Sequence, residues 1–86
     1  MGRLSIVMPT LNAGNWLRRS LPPLAAFEGL EILRELIVAD SGSDDDTLAI
    51  ADAAGAKIVT AEPGRGMQLA TGGAAAQGDW LLFLHA

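Results

Sequence analysis

The sequence predicts an α/β domain with a Rossmann-like βαβαβαβ order and a mainly parallel sheet that has helices on both faces. Four short apolar runs have the length of strands, at residues 4–8, 36–39, 57–60 and 80–84. The stretches between them are long enough for helices, and connections of that length join parallel strands. Apolar runs without alternation are typical of strands buried on both faces. With 86 residues, the chain is at most one small domain.

The first helix is expected to begin near Asn15, after the first strand. Leucines at helical spacing give it one apolar face. Pro22 and Pro23 lie in the same segment, and an interior proline costs roughly 3 kcal/mol. We therefore predict a kinked helix or two shorter helical pieces. The leucines of the apolar face are Leu17, Leu21 and Leu24.

The second helix is marked by capping signals. Ser43 can cap its first turn, and Asp46 follows three residues later in a capping-box arrangement. Gly55 offers a left-handed stop at its other end.

The third helix is expected over residues 66–77, and it contains a pair of glycines. Each glycine in a helix costs about 1 kcal/mol relative to alanine. Gly72 and Gly73 therefore predict close packing of the helix backbone or a loosely formed helix. Gly78 is expected to end this helix.

The composition excludes several functions. Six basic residues stand against ten acidic ones, for a net charge of −4, and no basic cluster exceeds Arg18 and Arg19. Nonspecific nucleic-acid binding is therefore not expected. The absence of cysteine excludes disulfides, thiolate zinc sites and a cysteine nucleophile. The N-terminus lacks the apolar length of a signal peptide and the longest apolar run is strand-sized, so we predict a cytoplasmic chain without a transmembrane segment.

The candidate functional residues follow the apolar runs. Ligands of open parallel sheets bind beyond the carboxyl ends of the strands, and polar residues stand there in this sequence. The dinucleotide fingerprint is absent because Leu69 occupies the place of its third glycine, and a P-loop is excluded because the only lysine is Lys57. The residues after the four runs include Pro9, Thr10 and Asn12, then Asp40 and Ser41, then Arg65 between two glycines, and finally His85.

Four segments resemble motifs of family 2 glycosyltransferases, which have the GT-A fold. The opening strand and loop are SIVMPTLN at 5–12, and the second strand with its Asp-rich turn is LIVADSGSDDDT at 36–47. GRGMQ at 64–68 and GDWLLFLHA at 78–86 resemble a bacterial subgroup whose last strand leads into His-Ala-Asp in place of Asp-X-Asp. Four motifs in this order at strand ends make the combination fairly specific, and they cover nearly the whole chain.

The resemblance implies that residues 1–86 are the nucleotide-sugar-binding part of a glycosyltransferase domain, cut just before its metal-binding aspartate. The implied reaction of the full-length protein is transfer of a sugar from a UDP-linked donor to an acceptor hydroxyl, with inversion. A divalent cation, Mg²⁺ or Mn²⁺, is expected on the diphosphate, with an incomplete site in this chain. The resemblance places the general base beyond Ala86, so we expect no catalytic residue and negligible sugar transfer in the isolated chain.

The resemblance also implies roles for single residues. Asp40 is expected to bind the base or ribose, since a carboxylate accepts from N–H groups and hydroxyls. Arg65 is expected to approach the base or diphosphate, since guanidinium offers a fixed fork of donors. His85 occupies the place of the first aspartate in Asp-X-Asp and is expected to adjoin the metal site. The residues expected to shape the nucleotide loop are Pro9, Thr10 and Asn12.

Simpler roles stay open for these residues. Asp40 could cap the turn after its strand, and Arg65 could be a surface charge. Thr10 and Asn12 could bond only their own backbone. The acidic run at 44–46 is better explained by helix capping and a solvated helix start than by a metal site.

Two other functions stay open as well. The chain could be a non-catalytic nucleotide-binding module, or a nucleotidyltransferase, although nucleotidyltransferases open with a glycine-rich basic loop that residues 9–12 lack. The expected partners are a nucleotide-sugar and an unidentified acceptor, and the exposed edge of the sheet offers a surface for self-association. Gln68 is assigned no role.

Overall fold

The computed structural model describes residues 2–25 and 32–84. Its four strands form one parallel sheet in the order β3-β2-β1-β4, which confirms the predicted α/β fold class and parallel sheet. The elements are β1 (Leu4–Thr10), α1 (Gly14–Ala25), β2 (Leu33–Asp40), α2 (Thr47–Ala53), β3 (Lys57–Thr60), α3 (Arg65–Ala75) and β4 (Trp80–Phe83).

The register of the sheet places the carboxyl ends of three strands side by side. Thr10 pairs with Asp40, and Asp40 pairs with Thr60. The backbone continues this alignment past the strands, because Ser41 N–H donates to the Thr10 carbonyl at 3.1 Å and Ala61 N–H donates to the Asp40 carbonyl at 2.9 Å. The loops that follow β1, β2 and β3 therefore leave the sheet at one edge, as predicted.

The main core lies on the face of the sheet that α1 and α2 cover. Apolar side chains at alternate positions of β1 and β2 point to this face, as the two-residue period of a strand requires. The leucines predicted for one face of α1 pack against them. The buried residues of this cluster are Ile6, Met8, Leu17, Leu21, Leu24, Leu36, Val38 and Ala51.

The opposite face of the sheet is covered by α3, so the prediction of helices on both faces is confirmed. The closest approach is at Gly72, which lies against the side chains of Val7 and Ala39, and a Cβ atom at Gly72 would overlap Val7. A Cβ atom at Gly73 would meet only ordinary contacts, with Leu81 Cδ1 at 3.8 Å. The close backbone packing predicted for the glycine pair is therefore confirmed at Gly72.

The prolines do not divide α1, which is one helix of 12 residues that begins at Gly14. Of the two predicted alternatives, a kinked helix or two shorter pieces, the second is wrong. Pro22 and Pro23 stand among its last four residues and face solvent, between buried Leu21 and Leu24. Each proline lacks the N–H that would bond the carbonyl four residues earlier, so the helix loses two backbone hydrogen bonds. Burial of the flanking leucines offsets that loss.

The start of α2 differs from the prediction. Its N-cap residue is Asp46, whose side chain makes no capping hydrogen bond. The hydroxyl of Ser43 donates instead to the Asp40 carboxylate, so the predicted capping box is wrong. A capping side chain accepts from an N–H of the first helical turn, whereas the Ser43 hydroxyl oxygen accepts from the N–H of Asn12, and Ser43 lies three residues before the N-cap. The predicted stop is confirmed, because Gly55 follows the helix with a φ of +78°.

The end of α3 also differs from the prediction, because the helix stops at Ala75 and does not reach Gly78. The N–H of Gly78 donates to the Ser5 hydroxyl at 2.8 Å. A Cβ atom at Gly78 would lie 2.8 Å from the Ser5 backbone nitrogen and 2.9 Å from the Arg3 carbonyl. Gly78 thus permits the connection to β4 to pass close to β1, and it does not serve as a helix stop.

Candidate functional site

The carboxyl edge of the two central strands carries a connected set of polar side chains. Asp40, the last residue of β2, lies at its centre and is only 4% exposed. One carboxylate oxygen accepts from the Thr10 hydroxyl at 2.7 Å and from the Ser43 hydroxyl at 2.5 Å. The other accepts from the backbone N–H groups of Gly42 at 3.0 Å and Ser43 at 2.8 Å. Both oxygens of Asp40 are therefore bonded within the chain.

These hydrogen bonds determine the ionisation state of the Asp40 carboxyl group. Burial by itself raises the pKa of a carboxyl group, because it penalises the ionised form. The hydrogen bonds from the Ser43 hydroxyl and N–H, the Thr10 hydroxyl and the Gly42 N–H outweigh burial and lower the pKa of Asp40 below its ordinary value. Asp40 is thus a buried carboxylate that is ionised at neutral pH.

Asn12 fastens the loop after β1 to the loop after β2. Its backbone N–H donates to the Ser43 hydroxyl oxygen at 2.8 Å. Its side-chain oxygen accepts from the N–H groups of Asp44 at 2.7 Å and Asp45 at 3.3 Å. Asn12 has a φ of +51°, a left-handed conformation that asparagine tolerates better than most residues. The bonds reach across the two loops, so Asn12 does more than bond its own neighbours.

The acidic run at 44–46 anchors the start of α1. The Asp45 carboxylate accepts from the N–H of Gly14, the first residue of α1, at 3.0 Å. Asp46 forms an ion pair with Arg18, which also lies in α1. Hydrogen bonds from the Thr47 hydroxyl and N–H are the main cause of a lowered pKa at Asp45. The capping role expected of this run is therefore met at two helices, because Asp45 accepts from the N–H of Thr47, the first residue of α2, as well as from Gly14 of α1.

Pro9 and Thr10 lie within β1, which is longer than predicted and buried at both residues. The missing N–H of a proline is tolerated where a strand has no partner on that side. Pairing with β4 ends at Val7 and Phe83, followed by a bond from Leu84 N–H to the Val7 carbonyl at 3.0 Å. Within the described residues, which end at Leu84 here, Pro9 therefore stands just beyond the β4 ladder.

The first turn of α3 brings two further residues to this edge. Arg65 is the first residue of the helix and is exposed. Gln68 is 8% exposed, and its side-chain nitrogen donates to the carbonyls of Thr10 at 2.8 Å and Ala39 at 3.2 Å. The sequence pattern assigned no role to Gln68. The signal available was its spacing, since Gln68 precedes the closely packed Gly72 by four residues and so shares its helix face.

The sequence profile of "Glycosyl transferase family 2" matches residues 5–86. The chain belongs to glycosyl transferase family 2. The predicted resemblance to family 2 is thereby confirmed over nearly the whole chain.

Individual members of the family are similar in sequence and in structure. Glucosyl-3-phosphoglycerate synthase of Mycobacterium tuberculosis is 39% identical over 93 residues, which cover 94% of this chain and 28% of the relative. The synthase of Mycolicibacterium smegmatis is 37% identical over 90 residues, with 94% of this chain and 29% of the relative covered.

The crystal structure of the M. tuberculosis synthase with Mn²⁺, UDP and glucosyl-3-phosphoglycerate has a TM-score of 0.85 and 32% identity, covering 98% of this chain and 33% of that one. A second structure of that enzyme, with Mn²⁺, UDP-glucose and phosphoglyceric acid, gives the same TM-score and identity. The chain therefore spans about a third of the length of these relatives.

In this family 2 chain, the structure unites most of the predicted site residues. Thr10, Asn12 and Asp40 belong to one hydrogen-bonded network at the edge of the sheet, and Arg65 begins the helix that Gln68 ties to the same strand ends. His85 lies outside the described residues. Within residues 2–25 and 32–84, no group of three His, Cys, Asp or Glu side chains is placed to hold a metal ion. None of the helices in these ranges combines the length and the apolar composition of a membrane span.

Proposed function

We propose that this chain binds the nucleotide part of a UDP-linked sugar donor, in a protein that transfers the sugar to an acceptor hydroxyl with inversion. The observation that carries the proposal is the buried, ionised Asp40 and the two loops that its network holds together. This network stands at the carboxyl edge of the central strands, where open α/β sheets bind their ligands. The solved relative that contains UDP shares this fold at a TM-score of 0.85.

Asp40 acts at the base or ribose chiefly through the loop that it holds. An ionised carboxylate has about four acceptor positions, and four donors from the chain occupy them. Its bonds to Gly42 and Ser43 fix the backbone of the loop after β2, and its bond to Thr10 ties this loop to β1. A ligand then meets polar backbone that is ordered before binding, which lowers the entropy cost of association.

The diphosphate belongs near Arg65 in this proposal. Arg65 opens α3, a helix of 11 residues, so its guanidinium and the positive end of the helix dipole lie together. Guanidinium presents a fork of donors that matches phosphate oxygens. Gly64, just before it, has a φ of +119°, which lets the backbone turn sharply into the helix. Arg65 thus supplies the positive charge that a departing nucleoside diphosphate needs.

A divalent cation is expected beside the diphosphate, because the crystal structure of the M. tuberculosis relative contains Mn²⁺ together with UDP. The described residues form no cluster that fits such an ion. Its ligands are therefore expected in the rest of the protein, with His85 adjoining them. When bound, the cation would neutralise charge on the diphosphate.

The proposed reaction is a direct displacement at the anomeric carbon. The acceptor oxygen forms a bond to this carbon as the bond to the diphosphate oxygen breaks, so the configuration inverts and UDP leaves with the electron pair. A general base takes the acceptor proton. The base and the acceptor site are expected outside this chain, which covers about a third of its relatives. The M. tuberculosis relative binds phosphoglyceric acid with UDP-glucose, so a phosphorylated hydroxy acid is the first acceptor to test.

Calorimetric titration of UDP with Mn²⁺ into the 86-residue chain tests the binding function. We expect measurable binding that Asp40→Asn weakens by about tenfold, because the loop after β2 loses the charge-assisted hydrogen bonds that order it, and ordering even one residue on binding costs roughly 1 to 2 kcal/mol. The matched control is Asp44→Asn, an exposed aspartate of the same loop. It should bind UDP like the wild type and lose at most about 1 kcal/mol of stability. Absence of UDP binding, or equal binding by Asp40→Asn, would contradict the proposal.

A further inference from the structure

Gln68 is a buried polar residue at an otherwise exposed loop and helix start. Its side chain is 8% exposed, whereas residues 62–67 before it are all exposed. Its amide nitrogen donates to a carbonyl of each central strand, Thr10 of β1 at 2.8 Å and Ala39 of β2 at 3.2 Å. Because a side-chain amide has two N–H donors, this one group can bridge both strands.

The chemistry of the bridge depends on an amide. Burying an amide costs free energy unless its polar atoms are hydrogen-bonded, and among the described residues no buried side-chain nitrogen or oxygen lacks a partner. A methionine would fill the same space without donors. A glutamate would place a negative charge against two carbonyl oxygens. The position of residue 68 on the buried face of α3 would accept an apolar side chain. Its two hydrogen bonds, in contrast, require the amide of glutamine.

The two acceptors of Gln68 belong to the backbone of the proposed nucleotide site. The Thr10 hydroxyl bonds the Asp40 carboxylate at 2.7 Å, and Ala39 directly precedes Asp40. On the other side, Arg65 lies three residues before Gln68 on α3, one turn of the helix away. Gln68 is thus the side chain that joins the helix carrying Arg65 to the strands carrying Thr10 and Asp40.

We propose that Gln68 is a positioning residue for nucleotide-sugar binding, because it fixes the distance between the first turn of α3, which carries Arg65, and the loop organised by Asp40. This inference rests on the proposed function. Without the bridge, α3 keeps its packing on the sheet through Gly72, but its first turn is no longer tied to the strand ends. The phosphate-binding and base-binding halves of the site then lose their fixed spacing, and affinity for the whole nucleotide falls.

The test is calorimetric titration of UDP with Mn²⁺ into the wild-type chain, Gln68→Met and Gln77→Met, with a melting curve for each. Gln77 is an exposed glutamine whose side chain accepts from Arg34 near the start of β2, far along the sheet from the site. We expect Gln68→Met to weaken UDP binding by at least about tenfold and Gln77→Met to leave it unchanged. Uridine, which lacks the diphosphate, should lose much less affinity in Gln68→Met than UDP does.

Two further variants separate positioning from general stability. Leu21→Val weakens the core on the other face of the sheet and should leave UDP affinity per folded molecule unchanged. Gln68→Asn keeps an amide that is one methylene too short to reach both carbonyls, and it should bind UDP less tightly than the wild type. It replaces Gln68→Met in the test if Gln68→Met does not fold. If the wild type binds UDP and the folded Gln68 variants bind it equally well, this inference alone is overturned. If the wild type does not bind UDP, the proposed function is overturned with it.

Discussion

At the scale of single residues, Asp40 combines a structural and an electrostatic role. Four donors from Thr10, Gly42 and Ser43 hold its carboxylate, and through them it joins the end of β1 to the turn after β2. Breaking this network would leave the buried Thr10 hydroxyl without its acceptor, at a cost of about 1 to 3 kcal/mol. The same carboxylate therefore stabilises the fold and orders the proposed site, so that both properties depend on its charge.

Glu35 plays a similar role at the opposite end of the sheet. Its carboxylate accepts from the Ser5 hydroxyl at 2.7 Å and from the Gln77 N–H at 2.6 Å. Burial raises its pKa, but the bonds from Gln77 and Ser5, followed by the charges of Arg34 and Lys57, bring the net shift below the ordinary value. Two carboxylates at opposite ends of β2 thus prefer to be ionised in the folded chain.

These shifts predict that the chain loses stability in acid. A carboxyl group with a lower pKa when folded takes up its proton first in the unfolded state, so unfolding becomes easier as the pH falls. The loss should begin near the ordinary values, 4.5 for Glu35 and 3.8 for Asp40, and continue through the lower pKa values of the folded state.

Urea unfolding between pH 7 and pH 3 measures this dependence. The free energy of unfolding should be nearly constant above about pH 5 and fall below it. Asp40→Asn should be less stable at pH 7 and lose less stability on acidification than the wild type, because one titrating group is gone. A free energy of unfolding that stays level or rises as the pH falls from 5 to 3 would show that these carboxylates are not stabilised by folding.

At the scale of elements, the seating of α3 on the sheet sets the position of the site. The helix touches β1 through Gly72 and the strand ends through Gln68, two positions on one face. Its connection to β4 is held by the N–H of Gln77 on Glu35 and the N–H of Gly78 on Ser5. Fixed at both ends, α3 presents Arg65 in one place.

The glycine pair of α3 predicts opposite effects of one substitution. Gly72→Ala places a methyl group against Val7, and overpacking of this kind costs about 1 to 3 kcal/mol. Gly73→Ala meets only ordinary contacts, so the better helix propensity of alanine should stabilise the chain by up to about 1 kcal/mol. The melting temperatures of both variants, compared with that of the wild type, test this prediction. Equal shifts of the melting temperature in both would mean that α3 does not approach β1 at Gly72.

At the scale of the whole molecule, the sheet is buried at its centre and largely exposed at both outer strands, β3 and β4. β1 and the second half of β2 are buried, as expected for strands covered on both faces. In the described part of the chain, β4 pairs only with β1, and its apolar side chains are exposed, contrary to the expectation from its composition. The exposed fractions are 66% for Trp80, 46% for Leu81, 42% for Leu82 and 36% for Phe83.

We expect the 86-residue chain to self-associate through β4. An apolar strand with an unpaired edge is a template for pairing with another chain, and a charge on such a strand opposes it. Sedimentation velocity over a range of protein concentrations should show association of the wild type and its loss in Leu82→Lys. The control is Met67→Lys, which changes a side chain 52% exposed on α3. A wild-type sedimentation coefficient independent of concentration would contradict this expectation.

The sequence by itself determined the order of elements, the parallel sheet and the edge that carries the site. Each of these follows from local patterns, because the period of apolar residues distinguishes strand from helix, and the connection length determines strand direction. The motifs at the strand ends also identified the family, since Thr10, Asn12, Asp40 and Arg65 stand at fixed places relative to the strands.

Only the tertiary structure decided which polar groups meet. Ser43 bonds Asp40 and does not cap α2, and Gln68 reaches Thr10 across 58 positions of the chain. Such partners depend on the register of the strands and on how closely a helix approaches the sheet, which apolar periodicity does not encode. The same holds for burial: Trp80 to Phe83 has the composition of a buried strand, but its exposure depends on which elements lie beside it. Periodicity specifies the apolar face of each element, whereas packing determines what that face and its polar neighbours contact.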